Sequence, residues 1–249
     1  VIVVVAGDCE ALTDVMIKAR EAGIKTVSYD RLIQNAGCDL YISFDNTEVG
    51  RLMARSLLEN IPDGGDIFLI QGPLTDHNVT LVREGIDETL AGSNLSVVYE
   101  SNCAGWIAEN AYTYTKEGLK QDRYVKGIIC GNDDLASQAF RALSEERLAG
   151  KVYVTGQDGD LAACQRIVEG TQEMTAFKSV EQEASMAAKC AVLLGLGEEI
   201  EEARSTAYDG TYQVPYLELQ PIAVTGENMD EVIIKGGFHA KEDVYLNVN

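Results

Sequence analysis

Histidine is nearly missing from this chain, with only His77 and His239 among 249 residues. An imidazole-dependent triad or zinc centre has almost nothing to draw on. His239, close to the end of the chain, reads as structural. The six cysteines, Cys9, Cys38, Cys103, Cys130, Cys164 and Cys190, form no C-x-x-C pair. That spacing argues against zinc and against a thioredoxin-like couple, and buried free thiols are the expectation. No segment matches G-x-x-x-x-G-K-[ST], G-x-G-x-x-G or G-x-S-x-G, so the commonest nucleotide-binding and hydrolase signatures are absent. Positive charge is scarce as well. Twenty Lys and Arg against forty Asp and Glu give a net charge of -20, which repels phosphate backbones and anionic lipid headgroups. The longest apolar run, residues 1–6, is far short of the ~20 residues that span a bilayer. A partial calcium-loop match from Asp158 to Glu169 fails, because Ala162 stands at a ligand position and Ala163 where glycine is needed. No metal and no cofactor are expected, and no enzymatic activity.

What is present is a regular alternation. At 46% apolar residues, the chain can bury a full core as one large domain or two small ones. Short β-branched runs at 1–6, 25–28, 66–71, 96–99, 127–130, 152–155 and 174–177 are separated by amphipathic stretches. Those stretches, at 10–22, 51–60, 81–90, 108–119, 135–144, 161–168 and 184–194, have helical spacing. Such a βαβ rhythm predicts an α/β protein with parallel sheets covered by helices on both faces. The run VIVVVA reads as a strand buried on both faces. It is therefore expected to have neighbours on each side, with two βα units of roughly fifty to sixty residues ahead of it.

In parallel sheets, ligands lie at the carboxyl ends of strands. Those ends carry Asp30-Arg31, Asp45-Asn46, Asp76-His77-Asn78, Gly105-Trp106, Asn132-Asp133-Asp134, Gln157-Asp158 and Lys178. Carboxylates, amides, a guanidinium, an ammonium and one large aromatic face suit a neutral polyhydroxylated ligand, whose hydroxyls both donate and accept. The only tryptophan could stack on the apolar face of a pyranose ring. Each residue also has a plainer reading. Asn132, Asp133 and Asp134 could cap the next helix, and Asp45 and Asn46 followed by Glu48 read as an N-cap. Asp158 and Lys178 could form a surface ion pair, Trp106 could be core, and Asp30-Arg31 a solvated turn.

The segments SYDRLI, YISFDN followed by VG, AGWIAENA, GNDDLA, GQDGDLAACQRIVEGTQEMTAFK and VIIKGGFHA cover nearly the whole chain in order. Together they resemble the periplasmic binding protein type I family, and within it the D-xylose-binding group of sugar ABC importers. The resemblance implies two Rossmann-like lobes joined by a three-segment hinge, with crossovers near 43–46, 177–179 and 208–215. One lobe, partial at its amino-terminal side, would comprise 1–44 plus 180–209, and the other 45–179 plus 210–249. It implies a monosaccharide, most simply the pentose D-xylose, held in the cleft between the lobes. Asp30 and Arg31 would face Asn78, Trp106, Asn132, Asp158 and Lys178, and the lobes would close by hinge motion on binding. The implied setting is extracytoplasmic, in the periplasm or on a cell-surface lipoprotein, with a membrane permease as partner. A sensory co-receptor for a membrane histidine kinase is the second reading, and the effector domain of a LacI-type repressor a third. Two departures, Ala104 before Gly-Trp and His77-Asn78 in place of an Asn-Asn pair, bear on which sugar is bound.

Overall fold

The structure is a computed structural model that describes residues 1–248. In chain order the elements are β1 (Ile2–Val4), α1 (Thr13–Glu21), β2 (Thr26–Tyr29), β3 (Leu40–Phe44), α2 (Asn46–Asn60), β4 (Gly65–Gln71) and α3 (His77–Leu90). Then come β5 (Leu95–Asn102), α4 (Ala108–Gln121), β6 (Gly127–Cys130), α5 (Asp133–Glu145), β7 (Tyr153–Gln157), α6 (Leu161–Val168) and β8 (Met174–Phe177). α7 (Val180–Leu196), β9 (Ser205–Tyr208), β10 (Gln213–Leu219), β11 (Ile222–Val224) and α8 (Lys241–Val244) complete the chain. It divides into two compact units. The first comprises Val1–Asn46, Thr75–Thr80 and Ser179–Pro221, the second Thr47–Leu74, Leu81–Lys178 and Ile222–Asn249.

The first unit holds a five-stranded sheet in the order β1-β2-β3-β10-β9. β1, β2, β3 and β10 run parallel, and β9 pairs antiparallel with β10. Every side chain of β3 is buried, as expected of a parallel strand covered on both faces. Its core gathers Val27, Leu40, Ile42, Phe44, Ala187 and Cys190 on one side of the sheet and Met16, Leu32, Ile33 and Tyr41 on the other. α7 is delimited by its own chemistry: Ser179 Oγ accepts from the Gln182 amide at its start, and Gly197 ends it in the left-handed conformation, a position that favours glycine.

One expectation needs correction here. β10 extends β3 with four parallel register pairs, Tyr216 to Tyr41 through Leu219 to Phe44. Residues 210–221 therefore belong with the first unit, whereas the sequence reading put them in the second lobe. β1 pairs with β2 among the described residues.

The second unit holds a six-stranded sheet in the order β11-β8-β7-β6-β4-β5. It is parallel except where β11 meets β8. One face packs Phe68, Ile70, Ile128 and Val154 under α4 and α5, the other Ile67, Leu69, Ile129 and Met174 under α2 and α3. α2 and α3 touch through glycine. A Cβ at Gly50 would stand 2.0 Å from the Val82 carbonyl oxygen, and one at Gly85 1.9 Å from that of Thr47. The central strand order 8-7-6-4-5 puts the carboxyl ends of β4, β6, β7 and β8 on one edge, which is what places this unit's functional side chains.

All six cysteines are buried and free, as the spacing suggested. No helix among the described residues is long and apolar enough to cross a membrane.

Candidate sugar-binding site

In the first unit, β2 ends at Tyr29 and the chain turns sharply through Asp30, which takes a left-handed φ of 61°. The backbone oxygen of Asp30 accepts from Ser43 Oγ at 2.8 Å and from Asn78 Nδ2 at 3.1 Å, and these bonds fix the turn. The guanidinium of Arg31 then spans two carboxylates: Nη1 lies 2.9 Å from Asp30 Oδ2, and Nε donates to Asp76 Oδ2 at 2.6 Å. Burial works to lower the affinity of Arg31 for its proton, but the Asp30 and Asp76 charges outweigh it and hold the pKa above its ordinary value. Asp76 is itself fully buried, and its other oxygen accepts from the Asn78 amide at 3.0 Å. Asn78 Oδ1 is buried with no hydrogen-bond partner among the described residues, a state that costs roughly 1–3 kcal/mol unless another molecule donates to it.

Asn78 thus stands beside Asp30 and Arg31 in the first unit, where the sequence reading had it facing them. The reason is local. The start of α3, residues 75–80, is bonded to the β2 turn, and the Cys9 amide donates to the Thr75 carbonyl at 3.2 Å. Asp76 was legible as a polar residue after β4, but nothing in the sequence singled it out as the partner of Arg31.

In the second unit, Trp106 follows β5 at the end of a short 3-10 turn, Ala104–Trp106. Gly105 and Trp106 have φ values of 60° and 57°. The indole is half-buried against the core beneath it. It lies close over Gly72, where a Cβ would meet Cζ2 at 2.2 Å. Asn132 caps α5, its Oδ1 accepting from the Leu135 amide at 2.9 Å. Its Nδ2 has no partner among the described residues, so the capping role leaves a donor free. Asp133 is not the cap that the sequence allowed. It is fully buried one residue on and faces inward. Asp158 follows β7 with a φ of 100°, and its Oδ1 lies 3.5 Å from Lys178 Nζ at the end of β8. Lys178 is 14% exposed and Asp158 42%, so the carboxylate is open to a ligand while the ammonium is mostly covered. His239 Nε2 lies 2.7 Å from the Gly159 carbonyl oxygen and ties down the same loop, which fits its structural reading.

Among the described residues, five non-glycine residues have positive φ: Asp30, Asn35, Trp106, Arg147 and Asp158. Three of them are sugar-ligand candidates from the sequence. Left-handed backbone at ordinary residues costs of order 1–3 kcal/mol and collects where function needs it, so strain and side-chain chemistry point to the same positions.

Comparison with known proteins identifies the family. The chain is 41% identical over 250 residues to the D-xylose-binding periplasmic protein of Haemophilus influenzae, covering 98% of this chain and 75% of that protein. It is 37% identical over 249 residues to the D-xylose-binding periplasmic protein of Escherichia coli, with the same coverage of each. Among solved structures, an ABC transporter solute-binding protein from Clostridium phytofermentans with bound β-D-glucose superposes with a TM-score of 0.88. That match is at 24% identity over 97% of this chain and 81% of the other, and it shows the fold. The periplasmic binding protein domain model matches residues 1–199, and the chain accordingly belongs to that family.

Proposed function

We propose that the chain captures a free monosaccharide, D-xylose first among them, outside the cytoplasm and delivers it to the membrane permease of an ABC importer. The observation that carries this reading is the composition of the two strand-end sets. Asp30, Arg31 and Asn78 on one unit, and Asn132, Asp158 and Lys178 on the other, supply acceptors and donors in the mixture that sugar hydroxyls require. Trp106 supplies the flat apolar surface that C–H groups of a pyranose prefer. A sugar hydroxyl would supply the donor that the buried Asn78 Oδ1 lacks among the described residues. The two D-xylose-binding relatives support the pentose over a hexose. Nothing in this chemistry activates a nucleophile or a water, so the sugar leaves as it came.

The test is a thermal-shift screen across pentoses and hexoses, followed by isothermal titration and NMR of the recovered sugar. Stoichiometric binding of D-xylose with the sugar unchanged is expected. Absence of binding by any monosaccharide, or conversion of the sugar, refutes the reading.

A further inference from the structure

Asp133 is the first residue of α5, and none of its surface is exposed. Asn132 already caps the helix, so the helix does not need this carboxylate. Its hydrogen bonds go elsewhere. Oδ2 accepts from the amides of Gly159 at 2.9 Å and Asp160 at 3.1 Å and from Thr175 Oγ1 at 2.7 Å. Oδ1 accepts from Gln172 Nε2 at 3.0 Å. Gln172 Oε1 in turn accepts from Arg166 Nε at 2.9 Å, and Arg166 Nη1 donates to Ser137 Oγ at 2.9 Å. A buried guanidinium and a buried carboxyl group are thus joined through one glutamine. Room for the carboxylate exists only because residue 156 is glycine, where a Cβ would lie 2.2 Å from Asp133 Oδ1.

The two backbone amides that Asp133 holds are the two that follow Asp158. Before Asp158, the loop is tied by Gln157 Nε2 donating to the Gly131 carbonyl and by the Asp158 amide donating to the Ala176 carbonyl at 3.0 Å. Beyond it, Asp133 is the acceptor that both amides share. The left-handed turn at Asp158 and Gly159, with φ values of 100° and 77°, is held at the Gly159 carbonyl by His239 Nε2. On its amide side it is held by Asp133, with Thr175 Oγ1 a second acceptor 3.1 Å from the Gly159 amide. A carboxyl oxygen shared in a dry setting is a strong anchor for two N–H groups.

We propose that Asp133 is a positioning residue of the sugar site: it meets no ligand, and it fixes the direction of the Asp158 carboxylate by clamping the Gly159 and Asp160 amides from behind. The proposal rests on the sugar-binding reading for its functional consequence, and its structural half stands apart from that reading. Asparagine at 133 turns its N–H groups either on Gln172 Nε2 or on Thr175 Oγ1 and both loop amides, and in either orientation the clamp on the loop is weakened.

Two measurements on the full chain test this. The first is amide hydrogen exchange of the unliganded protein by NMR. In Asp133→Asn, Gly159 and Asp160 exchange roughly tenfold faster or more, while amides in β4 keep their protection. Unchanged exchange at those two amides overturns the clamp whatever ligand the protein binds. The second is titration with D-xylose in a double-mutant cycle. Asp133→Asn lowers affinity about tenfold or more in the wild-type background and less than about threefold when Asp158 is already Asn. A full-size loss in both backgrounds shows that Asp133 does not act through Asp158. If wild type fails to bind D-xylose, the sugar reading falls and the exchange arm alone decides the clamp. If Asp133→Asn does not fold, Thr175→Val takes over. It removes a donor to the same carboxylate and an acceptor 3.1 Å from the Gly159 amide. Faster exchange at Gly159 is expected, and none would overturn the proposal.

Discussion

The indole of Trp106 rests on the bare backbone of Gly72, so closely that any side chain there would enter the ring. Gly72 follows β4, and its carbonyl accepts from Asn102 Nδ2 at 2.8 Å, so the glycine is held and cannot retreat. Gly72→Ala should tilt the indole away from its seat. Because Trp106 is the only tryptophan, the intrinsic emission reports this directly as a shift in wavelength or intensity. D-xylose affinity should fall with it, toward the loss of about 2–4 kcal/mol expected for Trp106→Ala. Emission and affinity both unchanged in Gly72→Ala would mean that the ring does not line the site.

A single guanidinium bridges Asp30 and Asp76, and lysine cannot replace it. Arg31 uses Nη1 for one carboxylate and Nε for the other, a planar fork that a lysine ammonium does not reproduce. Arg31→Lys should lower D-xylose affinity by roughly 1.5–3 kcal/mol, the range for charge-assisted hydrogen bonds, with only a small change in melting temperature. Arg51→Lys, which alters half-buried Arg51's pairs with Glu48 and Glu88 on α2 and α3, should leave affinity where it was. Equal effects from the two variants would assign Arg31 to the surface.

The sheet strands of the second unit were legible because parallel strands buried on both faces are short unbroken apolar runs, as in IFLI of β4 and GIIC of β6. β9 and β10 were not. Their burial alternates or lies open, eeie and eBeiBeB, and Pro215 inside β10 speaks against a strand by local rules. Pairing with β3 overrides that local signal. For the candidate site, strand-end position singled out Asp30, Arg31, Trp106 and Asp158, which share the signature of polar or aromatic residues after an apolar run. It could not say which unit Asn78 joins, since that depends on how the start of α3 is bonded across 48 residues to Asp30. Nor could it separate Asn132 from Asp133. Both look like caps in sequence, and only the buried donors Thr175 and Gln172, contributed from around β8, set Asp133 apart.

The cysteines should be inert until the chain unfolds. Burial pushes the Cys38 and Cys103 thiols up to about 11 and Cys164 to about 12, and it raises Cys9, Cys130 and Cys190 as well. At pH 8 a thiol with a pKa near 11 is thiolate in only about one molecule in a thousand, and the thiolate is the reactive form. Ellman's reagent at pH 8 should therefore find less than about one reactive thiol per native chain within minutes. After guanidinium it should find six, matching the free cysteines of the fold. A fast-reacting thiol in the native protein would show that its pocket opens.

Asp133 should also leave a mark on stability as pH changes. Burial raises its pKa to about 7 from an ordinary value near 3.8. The hydrogen bonds from Thr175 and Gln172 restrain the rise, and the charges of Asp158 and Asp160 add to it. A carboxyl whose folded pKa lies above its unfolded one contributes its full stability below the unfolded value, near pH 4. That contribution is lost as pH climbs through about 7, because the unfolded chain gives up the proton first. Asparagine at 133 stays neutral throughout and lacks this slope. Comparing melting temperatures of wild type and Asp133→Asn from pH 4.5 to 8 cancels the background from the other acidic groups. Wild type should lose ground to the variant steadily across that window and level off above about pH 7.5. A constant gap would mean that the four donors around Asp133 keep it ionised at every pH in the range, and that the burial of its charge is fully compensated.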